Sequence, residues 1–460
     1  MTFRRALGPF DATMVVVGGI IGAGIFISPY LVAQRLPSPG WILAAWAAGG
    51  VIALTGALAY AELAARSPQA GGPYVYLREA FHPVVAFLYG WALLFLIEGG
   101  AIAAVAITFA RYALRLIGRA DAPSLPLAVA AIVVVAAVNY VGVKPGSRLL
   151  NVFVVLKVAA LAALIASGFL LPVSEPAVVA GATAAAGHPP GPLGAGALTV
   201  AFGAALVPIL FAYGGWQNVT YVAEEIERPE RNVPLSLVVG TLLVVAVYSL
   251  VNIVYLRALG HAGLAGTMTP AADAAGRFLG SGGERAVAAA IAISTFGFLN
   301  LALLAPTRVT WAMAADGLFF RDVARLHPRF GTPTLAIVLQ AGWAIALVLS
   351  GTYAGLLETV VFADWIFFGL TVAAVVIFRL RHGPPPAGTF RVPGGIVLPV
   401  LFVLASAGIV VSVVFANPKA AGFGTLLLLL GLPAYRYWSR RAPAAAGDAK
   451  IAGARPNRSA

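Results

Sequence analysis

Long apolar segments recur along the whole chain, and short polar connections separate them. A helix needs roughly 17–25 predominantly apolar residues to cross the hydrocarbon core of a membrane, and most of these segments have that length. The pattern therefore predicts an all-α integral membrane protein with twelve transmembrane helices. We place them at residues 10–34, 41–64, 84–110, 124–142, 149–171, 197–222, 234–256, 286–311, 334–350, 354–378, 395–415 and 421–438.

Glycines interrupt the first and the sixth predicted helix at comparable places, within residues 18–26 and 211–216. Interruptions at matching positions of two halves are typical of transporters that consist of inverted repeats and bind substrate at the breaks. Glycines also let membrane helices pack closely without unwinding. We favour unwinding because the two breaks occupy equivalent positions of two five-helix units.

The breaks predict a five-plus-five inverted repeat followed by two peripheral helices. We expect the polar, Ala-rich C-terminal tail to be disordered. The predicted units are a cytoplasmic N-terminal tail (1–9), a first repeat (10–171), an extracytoplasmic loop (172–196), a second repeat (197–378), two peripheral helices (395–438) and a cytoplasmic C-terminal tail (439–460).

Basic residues are distributed unevenly between the two sides of this topology. Of the 30 Lys and Arg residues, 21 lie in or beside the segments on the side of the termini and 8 on the other side. Cytoplasmic segments carry the excess of Lys and Arg, which predicts cytoplasmic termini in a multi-pass protein of the inner membrane. The net charge of +13 therefore reflects orientation, and we expect no nucleic-acid partner.

The composition offers little for catalysis. Only 10% of the residues are charged and 60% are hydrophobic, whereas a soluble protein is about a quarter charged. The chain has no Cys, and its five His residues are scattered through loops, so no metal-ligand cluster is visible. Motifs of hydrolases, metalloproteases and nucleotide-binding proteins are also missing. We therefore expect no metal site, no cofactor and no enzymatic activity.

The two breaks would present opposite partial charges. Unwinding at Gly22, Ala23 and Gly24 leaves the second half-helix with unpaired N–H groups and a positive dipole end, which suit a carboxylate. A break near residues 211–214 leaves the preceding half-helix with free carbonyls and a negative dipole end, which suit an ammonium group. Two such ends that face each other would bind an α-amino acid by its zwitterion.

Four motifs in order resemble the amino acid–polyamine–organocation transporter superfamily, in particular its L-type amino acid transporter branch. Residues 224–234 resemble the cytoplasmic loop after the family's sixth helix, and residues 308–318 the loop after its eighth. The first-helix and sixth-helix motifs are Gly19-Ile20-Ile21-Gly22-Ala23-Gly24-Ile25-Phe26 and Phe211-Ala212-Tyr213-Gly214-Gly215-Trp216.

The resemblance implies the leucine-transporter fold and alternating access. It also implies that Phe211 closes over the substrate as an extracellular-side gate. Many L-type relatives carry Ser where this chain has Ala23, so one hydrogen bond to the substrate carboxylate would be lost. The implied substrate-binding residues are Ile21, Gly22, Ala23, Gly24, Ile25, Phe211, Ala212, Tyr213, Gly214 and Gln217.

Lys157 lies in the fifth predicted helix, where an ammonium group is costly enough to be a functional candidate. Its side chain could instead extend to the inner surface. The resemblance implies that its ammonium replaces a sodium ion and bridges the fifth helix to the broken first helix. Ser294 and Thr295 lie where the family's second sodium site has hydroxyl ligands, although hydroxyls that bond to the preceding turn are the alternative.

Glu98 lies deep in the third predicted helix, far from both surfaces. A carboxyl group there is expected to be neutral or paired. It is a candidate for proton coupling, and a protonated or ion-paired packing role is the alternative. Asp364 is a second deep acid and a lesser candidate.

These observations predict a sodium-independent amino acid transporter, either an exchanger or a proton-coupled symporter, for neutral L-amino acids. The alternatives are a cationic amino acid or polyamine transporter on the same fold and a polytopic channel or proton-translocating subunit. The expected partners are the amino acid, protons in the symport mode and the lipid bilayer. Nothing in the sequence implies a heavy-chain-type partner.

Overall fold

The computed structural model describes residues 5–119, 122–173, 190–267, 269–350 and 353–441. Most of the predicted extracytoplasmic loop and C-terminal tail lies outside these ranges. The described chain is helical, and its one isolated β-bridge joins Leu7 to Ile226. The helices are α1 (Pro9–Ile20), α2 (Gly24–Ala33), α3 (Pro39–Arg66), α4 (Pro73–Ala80), α5 (Pro83–Ala92), α6 (Glu98–Leu116), α7 (Ser124–Val141), α8 (Val143–Leu170), α9 (Ala195–Tyr213), α10 (Asn218–Tyr221), α11 (Pro229–Ala265), α12 (Pro270–Leu304), α13 (Thr307–Ala315), α14 (Thr334–Ser350), α15 (Tyr353–His382), α16 (Val397–Ala416) and α17 (Pro418–Ser439).

Nine helices within the described ranges are long and apolar enough to cross a membrane. They correspond to nine of the twelve predicted spans, with α5 and α6 forming one continuous span. The first predicted span consists of the two short helices α1 and α2, and α14 has only 17 residues. The last, α17, carries Lys419 and Arg436 near its ends, which lowers its apolar content.

Both predicted breaks are present. The helical backbone stops at Ile20 and resumes at Gly24, and it stops again at Tyr213 and resumes at Asn218. Gly215, inside the second break, has a φ of +110°, a conformation that glycine adopts at no steric cost. The glycines therefore do unwind the helices.

The same glycines also allow the two breaks to touch. A Cβ atom on Gly19 would lie 2.4 Å from the carbonyl oxygen of Gly215. A Cβ atom on Gly24 would lie 2.6 Å from the Cα atom of Ala212. Close packing and unwinding, which the sequence offered as alternatives, occur together at these positions.

Most buried apolar residues fall into two clusters. The smaller cluster is formed by α6, α7, α12 and α14, and the larger one contains both breaks together with α3, α8, α11 and α15. Helix α1 packs against α8, α11 and α12, whereas α6 packs against α12, α14 and α15. Helix α12 therefore contacts both α6 and α1, the helix that ends at the first break.

Three local features differ from the sequence prediction. Helix α4, in the connection between the second and third predicted spans, was not predicted. Helices α11 and α12 extend into the predicted connection 257–285, with non-helical backbone at Gly260 and Gly280. The connection after the eighth predicted span has a turn at residues 316–317 and contains a short 3-10 helix at Arg321–Ala324, which was not predicted.

The contact between Gly19 and Gly215 can be tested by adding one methyl group. Gly19→Ala forces the backbone of the second break to move, and overpacking of this kind costs about 1–3 kcal/mol. We expect a lower melting temperature of the detergent-solubilised protein. Gly203→Ala on α9 is the matched control, because no atom lies within 4 Å of its added Cβ. An unchanged melting temperature for Gly19→Ala would contradict the close approach of the breaks.

Candidate functional site

A cavity lies where the two breaks face each other, and the centre of a water molecule can occupy about 80 Å³ of it. One water molecule needs roughly 10–15 Å³ by this measure, so the cavity has room for several waters or a small solute. Its wall comes from the two breaks and from α6, α12 and α15. The predicted substrate residues that line it are Gly22, Ala23, Gly24, Phe211, Ala212, Gly214 and Gln217.

The first break supplies hydrogen-bond donors. Helix α2 begins at Gly24, and the first amides of a helix have no carbonyl one turn before them. The amide of Gly22 already donates to the carbonyl of Ile20 at 2.9 Å. The donors for an anion are therefore the amides after Gly22, at the positive end of α2. The side chains of Ile21 and Ile25 are buried in the apolar core, so these residues can contribute only backbone groups.

Lys157 contacts the end of α1, across the first break from the start of α2. Its ammonium donates to the carbonyl of Gly18 at 3.1 Å and to the carbonyl of Ile21. Gly22 would bond to the Gly18 carbonyl in a continuous helix, and the break releases that carbonyl. Lys157 is 1% exposed, so it does not extend to the inner surface. The ammonium thus joins α8 to the negative end of α1.

The second break supplies acceptors. The carbonyl of Phe211 accepts a bond from the amide of Gly214 at 3.2 Å, and the carbonyl of Ala212 accepts one from the hydroxyl of Tyr248 at 3.2 Å. A carbonyl oxygen has two lone pairs, so each keeps one for a further donor. The Phe211 side chain is half-buried and lines the cavity.

The polar side chains that follow the second break have different positions. Gln217 lines the cavity, and its side-chain oxygen accepts a bond from the amide of Gly215 at 3.0 Å. Asn218 also lines the cavity, and its buried side-chain oxygen has no hydrogen-bond partner among the described residues. Tyr213 does not line the cavity and packs edge-on against Trp46, while Trp216 packs against Tyr60.

Tyr248 joins the two breaks and was not predicted from the sequence. Its hydroxyl, on α11, lies 3.0 Å from the carbonyl oxygen of Ile20 and 3.2 Å from that of Ala212. It is fully buried. The sequence signal was a single phenol in the middle of a long apolar helix, because a buried tyrosine hydroxyl usually has a hydrogen-bond partner.

Glu98 lines the cavity and directly follows an irregularity in its helix. Residues Leu93–Ile97 form a turn of π-helix between α5 and α6, and the amide of Glu98 donates to the carbonyl of Leu93. Such turns often occur at functional sites. Asp364 on α15 lines the same cavity. Much of the remaining wall is apolar and consists of Ile97, Ala101, Ala104, Val105, Phe298, Val360, Val361, Trp365 and Phe368.

The two hydroxyl candidates on α12 are buried and bonded differently. The Thr295 hydroxyl lies 2.8 Å from the carbonyl oxygen of Ile291 and 3.0 Å from that of Ala292, and its one proton is donated within this preceding turn. This is the bond to the preceding turn that the sequence offered as the alternative. The Ser294 hydroxyl has no hydrogen-bond partner among the described residues, and neither residue lines the cavity.

Comparisons with known proteins identify the family. Residues 7–431 match the model of a family described as amino acid permease. The chain is 31% identical to the human b(0,+)-type amino acid transporter 1 over 91% of this chain and 84% of the relative. It is 30% identical to the human cystine/glutamate transporter over 94% and 85%, and 28% identical to the mouse Asc-type amino acid transporter 1 over 95% and 81%.

These matches cover nearly the whole chain, and they include both breaks and the cavity between them. They confirm the superfamily that the four motifs predicted, and the matched proteins are transporters rather than enzymes. This multi-pass membrane protein therefore belongs to the amino acid permease family.

Proposed function

We propose that the protein is a sodium-independent amino acid transporter that works by alternating access. The observation that carries this proposal is the cavity between two half-helix ends of opposite polarity. Amides at the start of α2 would bind the carboxylate of the solute, and carbonyls at the end of α9 would bind its ammonium group. The printed names of the relatives, all amino acid transporters, support an amino acid as the solute.

In this proposal Lys157 takes the place of a sodium ion. Its buried ammonium already neutralises the carbonyls of Gly18 and Ile21, the groups at the end of α1 that a cation would otherwise bind. Transport would then need no sodium gradient. Ser294 would then have no sodium ion to bind.

The proposed topology has twelve transmembrane helices, with both termini on the cytoplasmic side of the inner membrane. Residues 10–171 and 197–378 would form the two inverted repeats, and residues 395–438 the peripheral helices. Phe211, on the cavity wall, would act as the gate that closes over the solute. The uneven distribution of Lys and Arg supports the orientation.

The transport mode would be exchange or proton symport, with Glu98 as the coupling acid in the second case. Most of the cavity wall is apolar, which fits the predicted neutral amino acids. Glu98 and Asp364 on the same wall favour the cationic alternative, because a cationic side chain would give these acids a positively charged partner. A channel is disfavoured because the chain belongs to a family of permeases.

Proteoliposomes test this function directly. We load them with unlabelled L-amino acids and measure the uptake of labelled L-leucine and L-arginine with external sodium, and again with sodium replaced by choline. Saturable uptake at the same rate in both media is expected. Uptake that needs sodium would contradict the role of Lys157, and uptake that does not saturate would indicate a channel.

An imposed pH gradient in the same vesicles separates the two modes. Accumulation against a concentration gradient, driven by an acidic exterior, identifies proton symport. If efflux instead requires substrate outside, the protein exchanges. If the uptake rate is the same with and without the pH gradient while exchange continues, symport is excluded.

Lys157→Met tests the cation at the first break, because it keeps the apolar stem and removes the ammonium. Hydrogen bonds to charged groups contribute about 1.5–3 kcal/mol, so we expect the exchange rate to fall about tenfold or more. Substrate binding should change less, because Lys157 does not line the cavity. The matched control is Lys419→Met, at an exposed position of α17. An exchange rate equal to that of the unmodified protein would contradict the proposed role.

A further inference from the structure

The acids inside this protein follow a pattern with a conspicuous exception at the cavity. Glu62 on α3 is fully buried and forms an ion pair with Arg379, whose Nε lies 2.8 Å from its Oε1. Glu225 is 1% exposed and pairs with the fully buried Arg308, at 2.7 Å. Each of these buried carboxylates has an arginine opposite it, as buried charges generally require.

Glu98 and Asp364 have no such partner within the described ranges. Glu98 is 5% exposed, and its Oε2 atom has no hydrogen-bond partner in the described part of the chain. Asp364 is half-buried on the cavity side of α15. No Lys or Arg among the described residues lines the cavity. Lys157, which reaches the first break, is committed to the carbonyls of Gly18 and Ile21.

The two carboxyl groups also lie on the wall of the same cavity. They come from separate helices, α6 and α15. Nearby side chains hold the π-helical turn before Glu98: Trp343 donates to the carbonyl of Phe95 at 3.1 Å, and Gln340 donates to that of Leu94 at 3.5 Å. The fold thus holds two carboxyl groups at the wall of the cavity, and no Lys or Arg in the described part of the chain lines it with them.

The absence of a basic residue from the described cavity wall indicates a class of solute. The α-carboxylate and α-ammonium groups have their own partners at the two breaks, so Glu98 and Asp364 remain for the side chain. We propose that the cavity selects amino acids with a cationic side chain, such as arginine, lysine or ornithine, and that Glu98 and Asp364 bind that cation. This inference rests on the proposed function, because it assumes that an amino acid occupies the breaks.

Neutral isosteres isolate the contribution of the side-chain charge. L-citrulline has nearly the shape of L-arginine with a neutral ureido group, and L-norleucine has the carbon chain of L-lysine without its ammonium group. Each compound competes with labelled L-arginine for uptake into proteoliposomes loaded with L-arginine. We expect L-arginine and L-lysine to compete at least about tenfold more strongly than their isosteres, a difference of about 1.4 kcal/mol.

Two variants assign this preference to the acids. Glu98→Gln and Asp364→Asn keep the size of each side chain and remove its charge. Each should reduce the preference for L-arginine over L-citrulline to less than about threefold, while binding of L-citrulline persists. The control Glu230→Gln removes an exposed acid on α11 and should leave the preference unchanged.

The outcomes separate the substrate class from the function. If the isosteres compete as well as L-arginine and L-lysine do in the unmodified protein, the cationic class is wrong and the transporter function stands. If the preference persists in both variants, the assignment to Glu98 and Asp364 is wrong. If no amino acid of either kind is exchanged by the folded protein, the proposed function itself fails. Should the variants not fold, thermal stabilisation of the unmodified protein by L-arginine but not by L-citrulline decides the class.

Discussion

A backbone group that is released inside a membrane must find a partner in the protein, in water or in a ligand. Both broken helices are organised around this requirement. The ammonium of Lys157 takes the carbonyls of Gly18 and Ile21 at one break, and the Tyr248 hydroxyl reaches Ala212 at the other. These partners leave two sets of backbone groups unpaired: the amides that begin α2, and the remaining lone pairs of the carbonyls at the end of α9. They face one cavity, and this is why the candidate site lies there.

Buried side-chain charges obey the same requirement. Glu62 and Glu225 meet arginines that lie on helices distant in sequence. These ion pairs fix the packing of α3 against α15 and of the segment after the second break against α13. Glu225 also accepts two bonds from the N-terminal segment, at Ala6 and Leu7, through its carbonyl. The cavity differs because its acids face free space, where a solute can supply the charge.

Much of this arrangement was predictable because it depends on short-range sequence signals. Apolar length predicts the spans, and the two glycine runs predict where helices unwind, since glycine both permits irregular backbone and removes the Cβ that would keep the helices apart. Lys157 was predictable because an ammonium in an apolar helix needs a partner. The partners themselves depend on the long-range packing of helices. Tyr248 and the π-helical turn before Glu98 were therefore missed.

In the proposed site, the facing half-helix ends recognise the α-carboxylate and α-ammonium groups of an amino acid. A thermal-shift screen of the purified protein against the twenty standard L-amino acids and their methyl esters tests it most directly, since a ligand that binds the native state raises its melting temperature. We expect at least one free amino acid to stabilise the protein and its methyl ester, which lacks the carboxylate, to leave the melting temperature unchanged. Equal stabilisation by the ester would contradict recognition of the carboxylate at the first break.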